Sequence, residues 1–345
     1  MKKYIFIFLS FTLVFCISFA LLFAWDRKIP IEFWDSVVPM PEGQVVFVLI
    51  RPSQTVPEIA KNFYDEGIIK DSARDFASWL AKFKIDRRII PGRYALIPAS
   101  AWDVARQMRV AAPVSEAVTI VPGTNIYNFA NIFLISEDAK NSVKSEDIVS
   151  EILNDSIYPK QMVELIPQTK EGRLAFLLPD TYLTAELSPK ELIRAASDAW
   201  WNKLGKQIPN DPNEVMKLAI IASLIEREAL WDSERSKIAG VICNRLNKNM
   251  LLQIDAAVVY AHLTQGRRLT RVLYRDLELD SPYNLYKYEG LTPEPICAPS
   301  LLSWQGALNP ETHDFLYYVA DKDGHHIFSK THAEHLQNIK KVRQK

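Results

Sequence analysis

The sequence predicts a mixed α+β protein tethered to a membrane at its N-terminus. Three observations carry that expectation. Residues 4–24 run from Tyr4 to Ala24 without a charge or a proline, which matches the roughly 20 apolar residues that cross a bilayer as a helix. Residues 43–113 order themselves as strand, helix, helix, strand, helix, a small α+β module. From residue 117 onward helical apolar stripes dominate, with short strand-like runs among them.

The tether sets the compartment. Met1-Lys2-Lys3 forms the cytoplasmic end, and a proline-dotted linker covers residues 25–42. A cleaved signal peptide is the rival reading, with Ser18-Phe19-Ala20 as a weak cleavage site. The apolar part of such a peptide is usually about 7–15 residues, so this run is long for that role. Lys2 and Lys3 on one side and Arg27 and Lys28 on the other leave the charge rule nearly balanced. A large domain behind an extreme N-terminal anchor is expected outside the cytoplasm, because long domains translocate largely regardless of charge.

Composition narrows the function classes. The chain has 345 residues, 48% of them apolar, enough beyond the anchor for two or three domains with real cores. Lysine plus arginine and aspartate plus glutamate both number 41. No block concentrates the basic residues, which argues against nucleic acid as a partner. Cys16 falls inside the anchor, while Cys243 and Cys297 sit in apolar contexts. They read as buried thiols, with a single disulfide left open.

The small module is legible in detail. Gln44–Ile50 reads as a strand, and Thr55-Val56-Pro57-Glu58 is a capping box. The helix it opens carries Ile59, Ala60 and Phe63 and is ended by Gly67. A second helix from about Ser72 carries Phe76, Trp79, Leu80 and Phe83. Gly92–Ile97 is the return strand, and Ser100 caps a third helix bearing Val104 and Met108. The element order and the Gly92-Arg93-Tyr94 of the return strand resemble a LysM-like domain, a fold associated with amino-sugar polymers. A plain spacer is the alternative.

Residues 117–205 form an intermediate region, with a strand at Ala117–Val121, mixed helices, and a turn at Leu178–Tyr182. A loop spans residues 206–212, and Asp211 or Asn213 caps the next helix. That helix, Val215–Leu230, is almost wholly apolar until Glu226 and Glu228. At about 100° per residue Glu228 lies beside Leu224 and Ile221, and Glu226 lies near Ala219 and Ala222. A carboxyl held against apolar neighbours resists ionisation and keeps its proton toward neutral pH, as a general acid must. The bland alternative pairs both glutamates with Arg227 or Arg235 at the helix end.

A second amphipathic helix carries Ile238, Val241, Ile242 and Leu246. Leu252-Gln253-Ile254-Asp255 alternates as a short half-buried strand. Four of the six histidines cluster at 325, 326, 332 and 335, but their spacing fits no zinc signature, and no metal is expected.

The C-terminal part, residues 206–345, resembles the YceG-like family of endolytic murein transglycosylases. The matching pieces are Ala222–Glu228, Ser233-Glu234-Arg235, Asn244-Arg245-Leu246, Leu252–Asp255, Tyr283-Asn284-Leu285-Tyr286 and Gly324–Phe328, together with Pro179-Asp180-Thr181-Tyr182 and the anchor. The resemblance implies a lytic transglycosylase that cleaves the β-1,4 bond from N-acetylmuramic acid to N-acetylglucosamine without water and leaves 1,6-anhydro ends. It makes the second glutamate, Glu228, the single general acid and base, and it implies no cofactor.

Gln253, Tyr283 and Asn284 would hydrogen-bond sugar hydroxyl and acetamido groups, while Tyr260 and Tyr286 would stack on sugar rings or belong to the core. Asp255 would either contact substrate or hold a loop. Glu226, Arg235, Asn244, Arg245 and His326 would support the site, Glu226 by pairing with Arg235 or Arg245. Expected partners are peptidoglycan strands, peptidoglycan synthases and the elongation or division machinery, at the inner membrane with the catalytic part on the extracytoplasmic side.

The chain departs from the family pattern in places. Ala229 follows the glutamate where serine or threonine is usual, and Ile254-Asp255-Ala256-Ala257 stands for Thr-Asp-Pro-Thr. Glu294 and Ser300 replace glycines, and Pro122 an acidic residue. These departures leave room for a non-catalytic, membrane-anchored scaffold that only binds glycan.

Overall fold

The computed structural model describes residues 38–51, 54–114, 116–133, 145–184 and 188–344. The expected membrane helix, Cys16 and most of the linker lie outside the described residues. Among the described residues no helix is long and apolar enough to cross a membrane. The chain divides into two compact units that meet in sequence between Ser115 and Glu116.

In the first unit, β1 (Val46–Ile50) is followed by α1 (Val56–Asp65), α2 (Ala73–Lys82), β2 (Gly92–Leu96) and α3 (Ala101–Val110). The strands pair antiparallel, Val46 opposite Leu96 and Ile50 opposite Gly92. Local chemistry starts each helix. Glu58 accepts both the Thr55 N–H and its hydroxyl, at 2.7 and 2.8 Å. The Ser72 and Ser100 hydroxyls accept the N–H groups of Asp75 and Asp103, each at 3.2 Å. Gly67, at φ +73°, takes the left-handed turn after α1. The core joins Ile59, Phe63, Phe76, Leu80, Tyr94 and Val104.

The second unit opens with β3 (Glu116–Thr119), α4 (Ile126–Phe129), α5 (Ser145–Ile152), α6 (Lys160–Val163), α7 (Lys170–Leu174) and β4 (Thr181–Thr184). β3 and β4 pair antiparallel, Val118 opposite Tyr182. The turn expected at Leu178–Tyr182 is therefore shorter than its sequence implies. Thr181 and Tyr182 already belong to a strand, drawn in by a partner too distant in sequence to foresee.

Four helices follow: α8 (Pro189–Leu204), α9 (Pro212–Glu228), α10 (Arg235–Asn247) and α11 (Asp255–Thr264). After a long irregular segment come α12 (Leu301–Leu308), the antiparallel hairpin of β5 (Tyr317–Ala320) and β6 (His326–Ser329), and α13 (His332–Gln344).

Helix α9 is the spine of this unit. Pro212 occupies its first turn, and the Asp211 carboxylate accepts the Asn213 N–H at 2.9 Å. Val215, Ala219, Ala222, Leu224 and Ile225 are wholly buried, with α10 and α12 packed against the helix. Trp304 of α12 meets Trp200 at 5.2 Å and Phe176 at 5.5 Å between ring centroids, an aromatic wedge beneath the spine. Both Cys243 and Cys297 are free thiols, and burial pushes the Cys297 thiol far up.

The half-buried strand expected at Leu252–Asp255 does not form. Gln253 takes φ +53° and donates its N–H to the Leu285 carbonyl at 3.0 Å. Asp255 then opens α11, where a carboxylate is favoured by the positive end of the helix dipole. The apolar alternation arose from a buried bend, with Leu252 and Ile254 both pointing into the core.

Candidate active site

Helix α9 ends at Glu228 because Ala229 leaves the helical region at ψ 119°. The half-buried Glu228 carboxyl lines a cleft of ≈ 810 Å³. That size falls within the roughly 300–1,000 Å³ usual for small-molecule sites. Gln253 and Asp255 line the same cleft, as do Tyr286, Tyr318 and His326. The walls come from Val272, Leu273, Tyr274 and Leu277 and from Ile339, Val342 and Arg343 of α13.

The two glutamates have different surroundings. Glu226 Oε2 accepts the Ser300 N–H at 2.8 Å, the Ser300 hydroxyl at 2.6 Å and the Ser303 hydroxyl at 2.7 Å. Arg235 adds an ion pair at 3.3 Å and also bonds Asp232 at 2.9 Å. Glu226 thus clamps the start of α12, and the expected pairing falls on Arg235, not Arg245. Ser300, one of the departures from the family pattern, both caps α12 and binds this carboxylate.

Glu228 accepts one side-chain hydrogen bond, from the Tyr318 hydroxyl at 3.0 Å. Burial pushes its pKa above the usual carboxylate value. The Tyr318 bond opposes that rise, the nearby Asp255 charge adds to it, and His326 and Arg227 oppose it. The Tyr318 hydroxyl is itself driven well above its usual pKa, mainly by burial and by the Glu228 charge, so it stays a donor. The arrangement suits a carboxyl that stores a proton and releases it into the cleft.

Asp255, which lines the same cleft, accepts the Tyr286 hydroxyl at 2.5 Å. His326 is fixed from behind. Its Nδ1 lies 2.7 Å from Glu234, which also accepts the His326 N–H. The His326 ring meets Tyr318 edge-on at 5.0 Å. Burial raises the Glu234 pKa, but the hydrogen bonds from His326 and His325 outweigh it and hold the carboxyl below its usual range.

Several expected sugar contacts lie elsewhere. Asn284 is fully buried, and its amide donates to the Leu277 and Leu279 carbonyls at 2.8 and 2.7 Å. Its oxygen accepts the Tyr286 N–H at 3.0 Å, so no group is left for a sugar. Tyr260 is buried against Tyr283 at 5.1 Å and Tyr127 at 6.1 Å, away from this cleft. Tyr283 bonds Glu294 at 3.5 Å and does not line the cleft either. Tyr260, on α11, belongs to the core, and Tyr283 packs half-buried against it.

Asn244 ties α10 to the approach to β5 through the His313 and Phe315 carbonyls at 2.7 and 3.0 Å. Arg245 lines the cleft, and its Nε and Nη1 donate to the carbonyls of Leu316, Leu251 and Leu252. The four clustered histidines disperse onto Glu234 and the Tyr317 ring. Among the described residues no group of three or more His, Cys, Asp or Glu side chains converges as for a metal.

Tyr318 and Glu234 were not singled out from sequence. The hairpin register was the available signal for Tyr318. Ala320 stands opposite His326 and Tyr318 opposite Phe328, which puts Tyr318 and His326 on one face. Glu234 reaches His326 across 92 positions and has no local signature.

Comparison with known proteins adds independent observations. The YceG-like family model matches residues 48–341. A protein of Bacillus subtilis (strain 168) named endolytic murein transglycosylase is 33% identical over 307 residues, covering 84% of this chain and 82% of its own length. One of the same name from Streptococcus pneumoniae serotype 2 (strain D39 / NCTC 7466) is 29% identical over 333 residues, covering 88% of this chain but 60% of its own length. The crystal structure of a yceG-like protein from Listeria monocytogenes superposes with TM-score 0.55 at 27% identity, over 86% of this chain and all of that one.

Proposed function

This chain belongs to the YceG-like family, and on that premise we propose that it is an endolytic peptidoglycan lytic transglycosylase with Glu228 as its single acid and base. The observation that carries the reading is the contrast within one helical turn. Glu226 is saturated by Ser300, Ser303 and Arg235, whereas Glu228 faces the cleft with a raised pKa and one phenolic partner.

The chemistry needs one transferable proton. Glu228 gives it to the glycosidic oxygen as the bond from muramic C1 breaks. The resulting carboxylate takes the proton of the muramic 6-hydroxyl as O6 bonds to C1, closing the anhydro ring. Ordinary glycosidases flank the bond with two carboxyl groups, one acting on water or as nucleophile. Here the substrate supplies the nucleophile. Asp255, held by Tyr286 in the same cleft, steadies the positive charge that develops on the sugar. Gln253, in its left-handed bend, offers an amide to sugar hydroxyls.

The same reading places the chain at the inner membrane through residues 4–24, with the cleft outside the cytoplasm. There it would act on nascent strands beside the peptidoglycan synthases. The LysM-like element order of the first unit supports a role in binding glycan. Purified protein incubated with peptidoglycan should release fragments ending in 1,6-anhydro-muramic acid. Reducing muramic ends would instead assign Asp255 to activating water, and the single-carboxyl reaction would be wrong.

A further inference from the structure

A short 3-10 turn, Tyr274–Glu278, forms one wall of the cleft, and an unusual number of buried bonds hold it. The buried Asp276 carboxylate accepts the Leu273 N–H at 2.9 Å and pairs with Arg267 at 2.9 Å. The Asp276 carbonyl lies 3.0 Å from Nε2 of His262, a buried residue of α11. Asn284 gives both amide hydrogens to the far end of the turn, at Leu277 and Leu279. Buried polar groups committed this way fix a backbone in one shape.

What this rigid turn presents is Tyr274. The side chain lines the cleft that contains Glu228, yet it is 90% exposed. Scattered surface tyrosines are ordinary. A fully presented ring on a pinned turn within a catalytic cleft is a different situation. Tyrosine offers a large flat amphipathic surface with little conformational entropy to lose on contact.

We propose that Tyr274 is a stacking platform for a sugar ring in a subsite beyond the scissile bond. The ligand class is an amino-sugar unit of a β-1,4-linked chain. The C–H face of its pyranose lies on the phenol ring, while its hydroxyl groups stay in water at the rim. The inference rests on the glycan-cleaving function proposed above and adds to it a grip on a sugar that does not react. Such a grip favours long strands over short fragments and cuts within the chain over cuts at its end.

The test uses the full-length protein with uncrosslinked glycan strands of two lengths, long chains and a tetrasaccharide. Tyr274→Ala should raise KM for long strands about three- to tenfold, the span expected for one aromatic contact, with kcat near the parent value. The tetrasaccharide, which offers fewer sugars beyond the scissile bond, should lose less. Tyr274→Phe and Tyr274→Trp should restore the long-strand KM, because the ring and not the hydroxyl makes the contact. An unchanged long-strand KM in Tyr274→Ala, or a Phe variant as impaired as Ala, overturns the proposal. Binding of long strands to Glu228→Gln with and without Tyr274→Ala separates the two readings. Loss of binding there supports the platform even if the reaction were assigned wrongly, and unchanged binding rejects it even if the reaction is right.

Discussion

Glu226 and Glu228 are two residues apart on one helix, and their hydrogen bonds divide their work. Glu226 accepts three short bonds and pairs with Arg235, contacts that tie it to the start of α12. Glu228 has one phenolic donor, and burial raises its pKa above the usual carboxylate value. The Tyr318 hydroxyl bonds the charged form of Glu228 and so lowers a pKa that burial has raised. Tyr318→Phe removes that bond, and the pKa should climb further. In the proposed reaction, which starts from protonated Glu228, the alkaline limb of kcat/KM should move to higher pH in the variant. A pH–rate profile checks the sign, and a shift toward lower pH would mean that Tyr318 does not act on Glu228.

Glu226→Gln should act on stability instead. It leaves Arg235 facing a neutral amide across a mostly buried contact, with Asp232 as its remaining anionic partner. A loss of about 1–3 kcal/mol is expected in urea unfolding, with turnover per folded molecule only mildly lowered.

At the scale of elements, α9 bears the proposed acid; the sequence offers Asp211 or Asn213 as its cap, and Asp211 fills that place while Pro212, expected in a loop, forms the first turn. Asp211→Ala should destabilise the second unit by about 0.5–2 kcal/mol, the usual worth of such a cap. It should spare KM, because Glu228 lies at the other end of the helix; thermal melts paired with kinetics would show the split.

The caps at Thr55, Ser72, Ser100 and Asp211 are local chemistry, so sequence alone located those helices. The bend at Gln253 is not local. It depends on a hydrogen bond to Leu285, 32 positions away, and its apolar alternation resembles a strand. For the same reason Asn284 looked like a sugar ligand. A buried asparagine and a binding asparagine share one letter, and only the Leu277 and Leu279 carbonyls distinguish them. The helix offers Glu226 and Glu228 alike, and the family resemblance separates them, whereas Tyr318 and Glu234 depend on the placement of the β5–β6 hairpin beside that helix.

For the whole molecule, the apolar run from Tyr4 to Ala24 bears on where the chemistry happens. The full chain should fractionate with membranes and resist alkaline extraction, as a spanning helix does. Recovery in the soluble fraction would mean that the run is removed, as a signal peptide would be. An anchored enzyme reaches only glycan near the membrane. A cleft with a grip beyond the reacting sugar then suits cutting within a strand.

The reaction is tested most directly by mass spectrometry of the fragments released from peptidoglycan by the parent protein and by Glu228→Gln. The account predicts anhydro-muramic ends from the parent and intact glycan from a folded variant. Anhydro ends released at near-parental rate by Glu228→Gln would contradict it, because the proton would then come from another group.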